Sequence, residues 1–217
     1  VASTLAESGR SVVPPVAFQP RVLFNPELES TQFLVPGLIG FLLMLTAVLA
    51  TALSVVRERE RGTMEQLRVA PLRTWELILG KTIPYLVLSL LATVIILAAA
   101  RLLFGMEIRG PHLDLLVAVL LYLFGALGFG LFISTIAHTQ ALAFQVGLIS
   151  SMLPALLLSG FIFPVANMPA PIRAVATLMP LKYFLTAVRG IFLKGSGLRE
   201  LWREAVFLGA AGPLILG

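Results

Sequence analysis

The sequence contains no cysteine and little charge. Without thiols there is no disulfide scaffold, no thiolate metal site and no cysteine nucleophile. Charged residues make up only 12% of the 217 residues, where soluble domains carry about 25%. A soluble domain of this length needs charge to cover its surface, so that class is excluded. A phosphate-binding G-x-x-x-x-G-K-[ST] loop is absent, so ATP is not expected to bind this chain. His112 and His138 stand at the ends of apolar runs with no cysteine or acid at ligand spacing. They read as interfacial residues rather than metal ligands. Ser150, Ser151 and Ser159 have no positioned base, and serines on membrane helices usually bond backbone carbonyls. The long runs also lack the acids and bases that proton-coupled carriers use.

What is present is apolar, 58% of the chain, and it is arranged in blocks. Phe33 to Val56, Thr82 to Phe104, Leu115 to Ala137 and Ala141 to Phe163 are four runs with little or no charge. At about 1.5 Å per residue each can cross a hydrocarbon core of about 30 Å. Arg101 near the end of the second run can snorkel to the interface. A helix satisfies its own backbone groups where water is missing, so each run is expected to be helical. The expected helices are 34–61, 75–104, 114–137 and 140–160. A fifth run begins near Ala205. The formal net charge is +5. The basic residues flank apolar runs, which points to anionic lipid headgroups as partners and not to nucleic acid.

Two connections hold more than a loop. Arg57-Glu58-Arg59-Glu60-Arg61-Gly62 follows the first run, with Gly62 suited to a left-handed helix end. Thr63-Met64-Glu65-Gln66 then fits a capping box, with Thr63 as N-cap, Gln66 at N3 and Glu65 in the first turn. Pro71 ends that short helix, Thr74 is available to cap the next, and Trp75 suits an interface. A membrane boundary needs basic residues but not alternating acids. The alternation suggests ion pairs with a partner. The second connection, Pro164 to Glu204, is broken by Pro164, Pro169, Pro171, Pro180 and Gly195. Its pieces Ile172–Met179 and Leu181–Leu193 are too short to span, and two re-entrant helices are expected. Tyr183, Phe184 and Phe192 there suit a headgroup level. Ala126 and Gly130 in the third run form a small-xxx-small pair, read as helix packing before a substrate path. Both connections carry six basic residues, so orientation by basic charge stays open but for a denser first connection.

Residues 1–32 are mixed and polar, with a strand expected at Val16 to Phe24 and a turn at Asn25-Pro26. The chain opens on Val1 and stops at Gly217 inside an apolar run, which reads as a fragment.

From Val56 through Arg57-Glu58-Arg59-Glu60-Arg61-Gly62-Thr63-Met64-Glu65-Gln66-Leu67 the chain resembles the ABC-2 type transporter permeases, particularly bacterial drug-exporter-like members. The resemblance continues through Asn25-Pro26-Glu27-Leu28, Gly80-Lys81 and Leu131-Phe132-Ile133-Ser134-Thr135. It is strong again in Leu158-Ser159-Gly160-Phe161-Ile162-Phe163-Pro164, Met168-Pro169, Pro180-Leu181, Tyr183-Phe184 and Arg189-Gly190-Ile191-Phe192-Leu193-Lys194-Gly195. It implies an all-α, multi-pass bundle in a bacterial inner membrane. Residues 1–32 would end an extracytoplasmic region, and 33–217 would be a transmembrane domain without its first helix and with its last truncated. The segment after Arg61 would be a cytoplasmic coupling helix. Pro164, Pro169, Pro180, Tyr183 and Arg189 would belong to an outer re-entrant pair. The implied partners are a separate ABC ATPase subunit, which holds the ATP, and a second permease subunit, identical or not. Glu58, Arg59, Glu60, Arg61, Thr63, Glu65 and Gln66 would pass ATP-driven closure to the membrane helices. Export of a hydrophobic or amphipathic compound is the implied function. The alternatives are a lipid or glycan exporter subunit and a non-transporting anchor or sensor for an ATPase.

Overall fold

A computed structural model describes residues 30–62, 73–197 and 200–216. The expected strand at 16–24, the Asn25-Pro26 turn and the capped helix opened by Thr63, Glu65 and Gln66 lie outside the described residues. Within them every regular element is helical. Four long helices come first: α1 (Ser30–Glu60), α2 (Thr74–Phe104), α3 (His112–Ile136) and α4 (Gln140–Leu158). Two short ones follow, α5 (Ala170–Ala176) and α6 (Pro180–Arg189), and then α7 (Trp202–Leu216). All four long helices are apolar and long enough to cross a membrane.

The helix ends follow local chemistry. α1 closes at Gly62, whose φ of +73° needs no Cβ. Its N–H donates to the Arg59 carbonyl (3.2 Å). α2 closes the same way at Gly105 (φ +62°), which donates to the Arg101 carbonyl (3.0 Å). The start of α2 corrects one expectation. Thr74 is already helical, Arg73 is the N-cap residue, and the Glu76 carboxylate accepts from the Arg73 N–H (2.8 Å). An acid at N3 reaches back to the cap, so a capping hydroxyl is not required. α4 opens with Thr139 as N-cap, its Oγ1 accepting from the Leu142 N–H (3.2 Å). α1 begins four residues before the expected start and accommodates Pro36 within the helix.

The core lies between α1 and α3. Leu43, Ala47, Val48 and Ala52 of α1 are buried against Ala118, Leu123 and Leu127 of α3. Gly130 makes this approach possible: a Cβ there would lie 2.7 Å from the Val48 carbonyl oxygen. The small-residue reading of Gly130 as packing therefore holds. α2 is different. Ile83, Leu88, Leu91, Val94 and Ile95 are all more than half exposed. A row of bare aliphatic side chains along one helix is a surface made for apolar surroundings and not for water.

After α4 the chain turns at Gly160 (φ +83°), makes one 3₁₀ turn at Val165–Asn167 and enters α5. α5 and α6 are bent by 78° to one another. α6 runs on through a π-helical turn, Gly190–Lys194, which ends at Gly195 (φ +69°). At about 1.5 Å per residue, the seven residues of α5 reach about 10 Å. Pro180–Lys194 reaches about 22 Å, short of about 30 Å. Prolines set these starts: Pro169 precedes α5 and Pro180 is the first residue of α6, where a missing N–H costs nothing. Phe184 and Phe192, expected at headgroup level, are buried in the protein instead. The Phe184 ring stacks on Tyr122 (centroids 4.1 Å apart), and the Tyr122 hydroxyl donates to the Gly40 carbonyl (2.9 Å). Tyr183 stacks on Phe207 of α7 (3.9 Å) and donates to the Thr177 carbonyl (2.8 Å). Cysteines placed at Met168 and Ser196 are expected to react with an impermeant maleimide from the same side of the membrane. Labelling from opposite sides would make α5 and α6 a broken span.

Candidate functional site

The alternating charges at the end of α1 are largely paired inside the chain. Glu58 forms an ion pair with Lys81 of α2. Lys81 is only 12% exposed and Glu58 34%, so the pair sits at the edge of the apolar bundle. Arg59 Nη1 donates to the Ala137 carbonyl at the end of α3 (3.0 Å), where a cation suits both the orphan carbonyl and the helix dipole. Glu60 does the reverse at the start of α4. One carboxylate oxygen accepts from the Gln140 backbone N–H (2.7 Å), and the other accepts from Gln140 Nε2. Arg57 Nε completes the group by donating to Gln140 Oε1 (3.3 Å). Arg61 is exposed at the last turn.

Three consecutive side chains thus reach three different helices. Of the alternation expected to serve ion pairs with a partner, Glu58 holds an ion pair with Lys81 inside the chain. Arg59 and Glu60 are engaged within the chain too, by hydrogen bonds. Sequence reasoning missed Gln140 and the Ala137 carbonyl. Thr139 just ahead of an apolar run was a legible N-cap signal, but nothing local ties that turn to residue 60.

At the far end, Arg189 Nη1 donates to the Gly160 carbonyl (3.2 Å). Arg173 Nη2 donates to the carbonyls of Ala166 (2.7 Å) and Met168 (3.0 Å). Pro164 precedes the 3₁₀ turn that these arginines bracket. The proline-rich connection is therefore held by guanidinium groups on its own carbonyls.

Between these ends lies an apolar groove of about 450 Å³. Met44 of α1, Ala126, Phe129 and Phe132 of α3, Ser150 of α4 and Phe207 of α7 line it. Ser151 and Ser159 bond backbone carbonyls of their own helix turns, as do Thr51 and Thr93. Ser150 breaks that habit. Its Oγ is the one buried hydroxyl without a partner among the described residues. An unmade hydrogen bond in an apolar wall is unfavourable.

The family model for ABC-2 family transporter protein matches residues 3–217. The chain belongs to the ABC-2 transporter family. Among similar proteins of Escherichia coli K12, the probable multidrug ABC transporter permease YbhS is 37% identical over 211 residues. That alignment covers 97% of this chain and 56% of the relative. The probable multidrug ABC transporter permease YbhR is 36% identical, over 83% of this chain and 49% of that protein. The inner membrane transport permease YhhJ is 32% identical, over 92% of this chain and 53% of its own length. This ABC-2 chain thus spans about half the length of the curated relatives it matches. No solved structure matches it.

Proposed function

We propose that this chain is the membrane-embedded permease portion of an ATP-driven exporter for a hydrophobic or amphipathic compound. ATP is bound and hydrolysed by a separate ABC ATPase subunit, in an inner membrane, alongside a second permease subunit. The multidrug permeases among its relatives support the export reading. The observation that carries it is the placement of the charge cluster. Glu58, Arg59 and Glu60 join the end of α1 to α2, α3 and α4, directly before the 63–72 segment proposed to couple to the ATPase. A push on that segment is delivered to all four long helices at once. Rigid-body rearrangement of packed helices is how such pushes alternate access. On this reading the α5–α6 pair, with Pro164, Pro169, Pro180, Tyr183 and Arg189, is the outer closure.

The groove is proposed as the substrate contact. Its volume falls within the range of about 300–1,000 Å³ usual for small-molecule sites, which are mostly apolar with a few polar groups. Aromatic rings and Met44 would take the apolar body, and Ser150 Oγ one hydrogen-bonding group. The test is ATP-dependent efflux of lipophilic dyes from vesicles holding the full-length permease and its ATPase. Wild-type vesicles are expected to export. Ser150→Ala is expected to weaken a hydroxyl- or amine-bearing dye about five- to tenfold, the worth of one hydrogen bond of about 1–1.5 kcal/mol. Ser150→Phe should stop export of every dye by filling the groove. Hydrolysis without efflux of dye, lipid or glycan would identify an anchor or sensor instead.

A further inference from the structure

We propose that Gln140 is a positioning residue for transport: through it α4, and the groove wall that α4 carries, follows the end of α1. The inference rests on the exporter reading and names the link within it. Gln140 bonds to two members of the charge cluster, the acid at 60 and the base at 57. Its side chain suits this because an amide donates at one end and accepts at the other. A carboxylate would repel Glu60, and an ammonium would repel Arg57.

The first N–H of α4 is also engaged. A helix start leaves four such donors without helical partners. Here one of them, at Leu142, is bonded by the neighbouring Thr139. Another, at Gln140 itself, is bonded by Glu60, eighty residues away on α1. A local cap would stabilise α4 equally well. A cap borrowed from α1 makes the two helix ends move together. Arg59 holds the same turn from its other side through the Ala137 carbonyl (3.0 Å).

From Gln140 the displacement has a stiff path. Ser150 lies ten residues further along α4, about 15 Å at the helical rise. No proline interrupts that stretch, since Pro154 comes after it. Gly147 on the way lets α4 approach α1, a Cβ there falling 2.9 Å from Leu49 Cδ2. Movement at the α1 terminus therefore reaches the groove through α4. Glu60 is exposed and Gln140 half-buried, so the contact is a link and not a pillar of the fold.

The experiment compares wild type, Gln140→Ala, Gln140→Glu and the exchange Glu60→Gln/Gln140→Glu in full-length permease with its ATPase. Efflux per ATP hydrolysed is expected to fall at least fivefold in both single variants, with copurified ATPase unchanged. The exchange restores an amide–carboxylate pair and leaves Arg57 facing an acceptor, so it should regain at least half of the wild-type ratio. A purely structural role would lower the amount of folded permease and copurified ATPase, and leave efflux per ATP hydrolysed unchanged. A second measurement does not depend on efflux. Spin labels at Leu153 of α4 and Ile95 of α2, both exposed, are expected to change separation on ATP binding in wild type and not in Gln140→Ala. Wild-type coupling in Gln140→Ala, an exchange no better than the single variants, or the same ATP-driven displacement in Gln140→Ala would overturn the proposal. Hydrolysis without efflux in wild type would sink the exporter reading alone, because the displacement would still decide on Gln140.

Discussion

Glu58→Lys is expected to abolish ATP-dependent efflux and to lower the stability of the permease, and Glu58→Lys/Lys81→Glu to recover most of both. The reason is the depth of Lys81, whose side chain is 12% exposed. Reversing Glu58 sets two cations against each other at the edge of an apolar bundle. Removing one member of a fully buried pair costs about 3–5 kcal/mol. Glu58 is about a third exposed, which reduces the expected cost of reversal to roughly 2–3 kcal/mol. Had the glutamate faced only water, reversal would cost within about 0.5 kcal/mol. Detergent melting temperatures and efflux of the single and double variants decide between these cases. A reversal that melts and transports like wild type would leave Glu58 as a mere boundary charge.

Gly130→Ala is expected to be among the most destabilising single-methyl changes in the chain, while Gly40→Ala is mild. Both added methyls meet atoms at 2.7 Å, but the atoms differ. At Gly40 the neighbours are side chains only, the rotatable Leu181 Cδ1 and, at 3.0 Å, the edge of the Phe184 ring. At Gly130 the nearest atom is the Val48 carbonyl oxygen, with the Val48 Cα at 3.2 Å behind it. Backbone does not step aside, so α1 and α3 must separate along their whole contact. Overpacking of this kind costs about 1–3 kcal/mol and sometimes more. The expected loss at Gly130 is about 3 kcal/mol or above, and at Gly40 about 1 kcal/mol. Fluorescence-detected size exclusion after heating measures both. Equal melting of the two variants would show that the helix contact at Gly130 yields.

The long helices were legible because their cause is local. A run of apolar residues without charge has one way to satisfy its backbone in lipid, and it does so wherever the run lies. Helix ends were legible for the same reason. Gly62 needed only its own freedom to take φ +73°. Where the reading slipped, a local rule had two answers. Thr74 and Glu76 were both able to serve the start of α2, and the acid did so. Phe184 and Phe192 looked interfacial because they lie in an apolar piece too short to span. Their burial depends on Tyr122 and other residues brought in from elsewhere in the chain.

The sequence by itself determined the class of molecule, the four spans, the proline-broken connection and the family. Each rests on composition, run length or residues close together in the chain. Tertiary structure alone decided which faces of those spans are buried and what the charges at residues 57–60 hold. In an aqueous protein the polar face of a helix marks its buried side by contrast. Here lipid and core are both apolar, so α1 and α2 look alike in sequence, yet one is central and the other bare. The partners of Glu58, Arg59 and Glu60 lie 23, 78 and 80 residues onward. No spacing rule joins them, because their meeting is set by where whole helices pack and only then by which side chains touch.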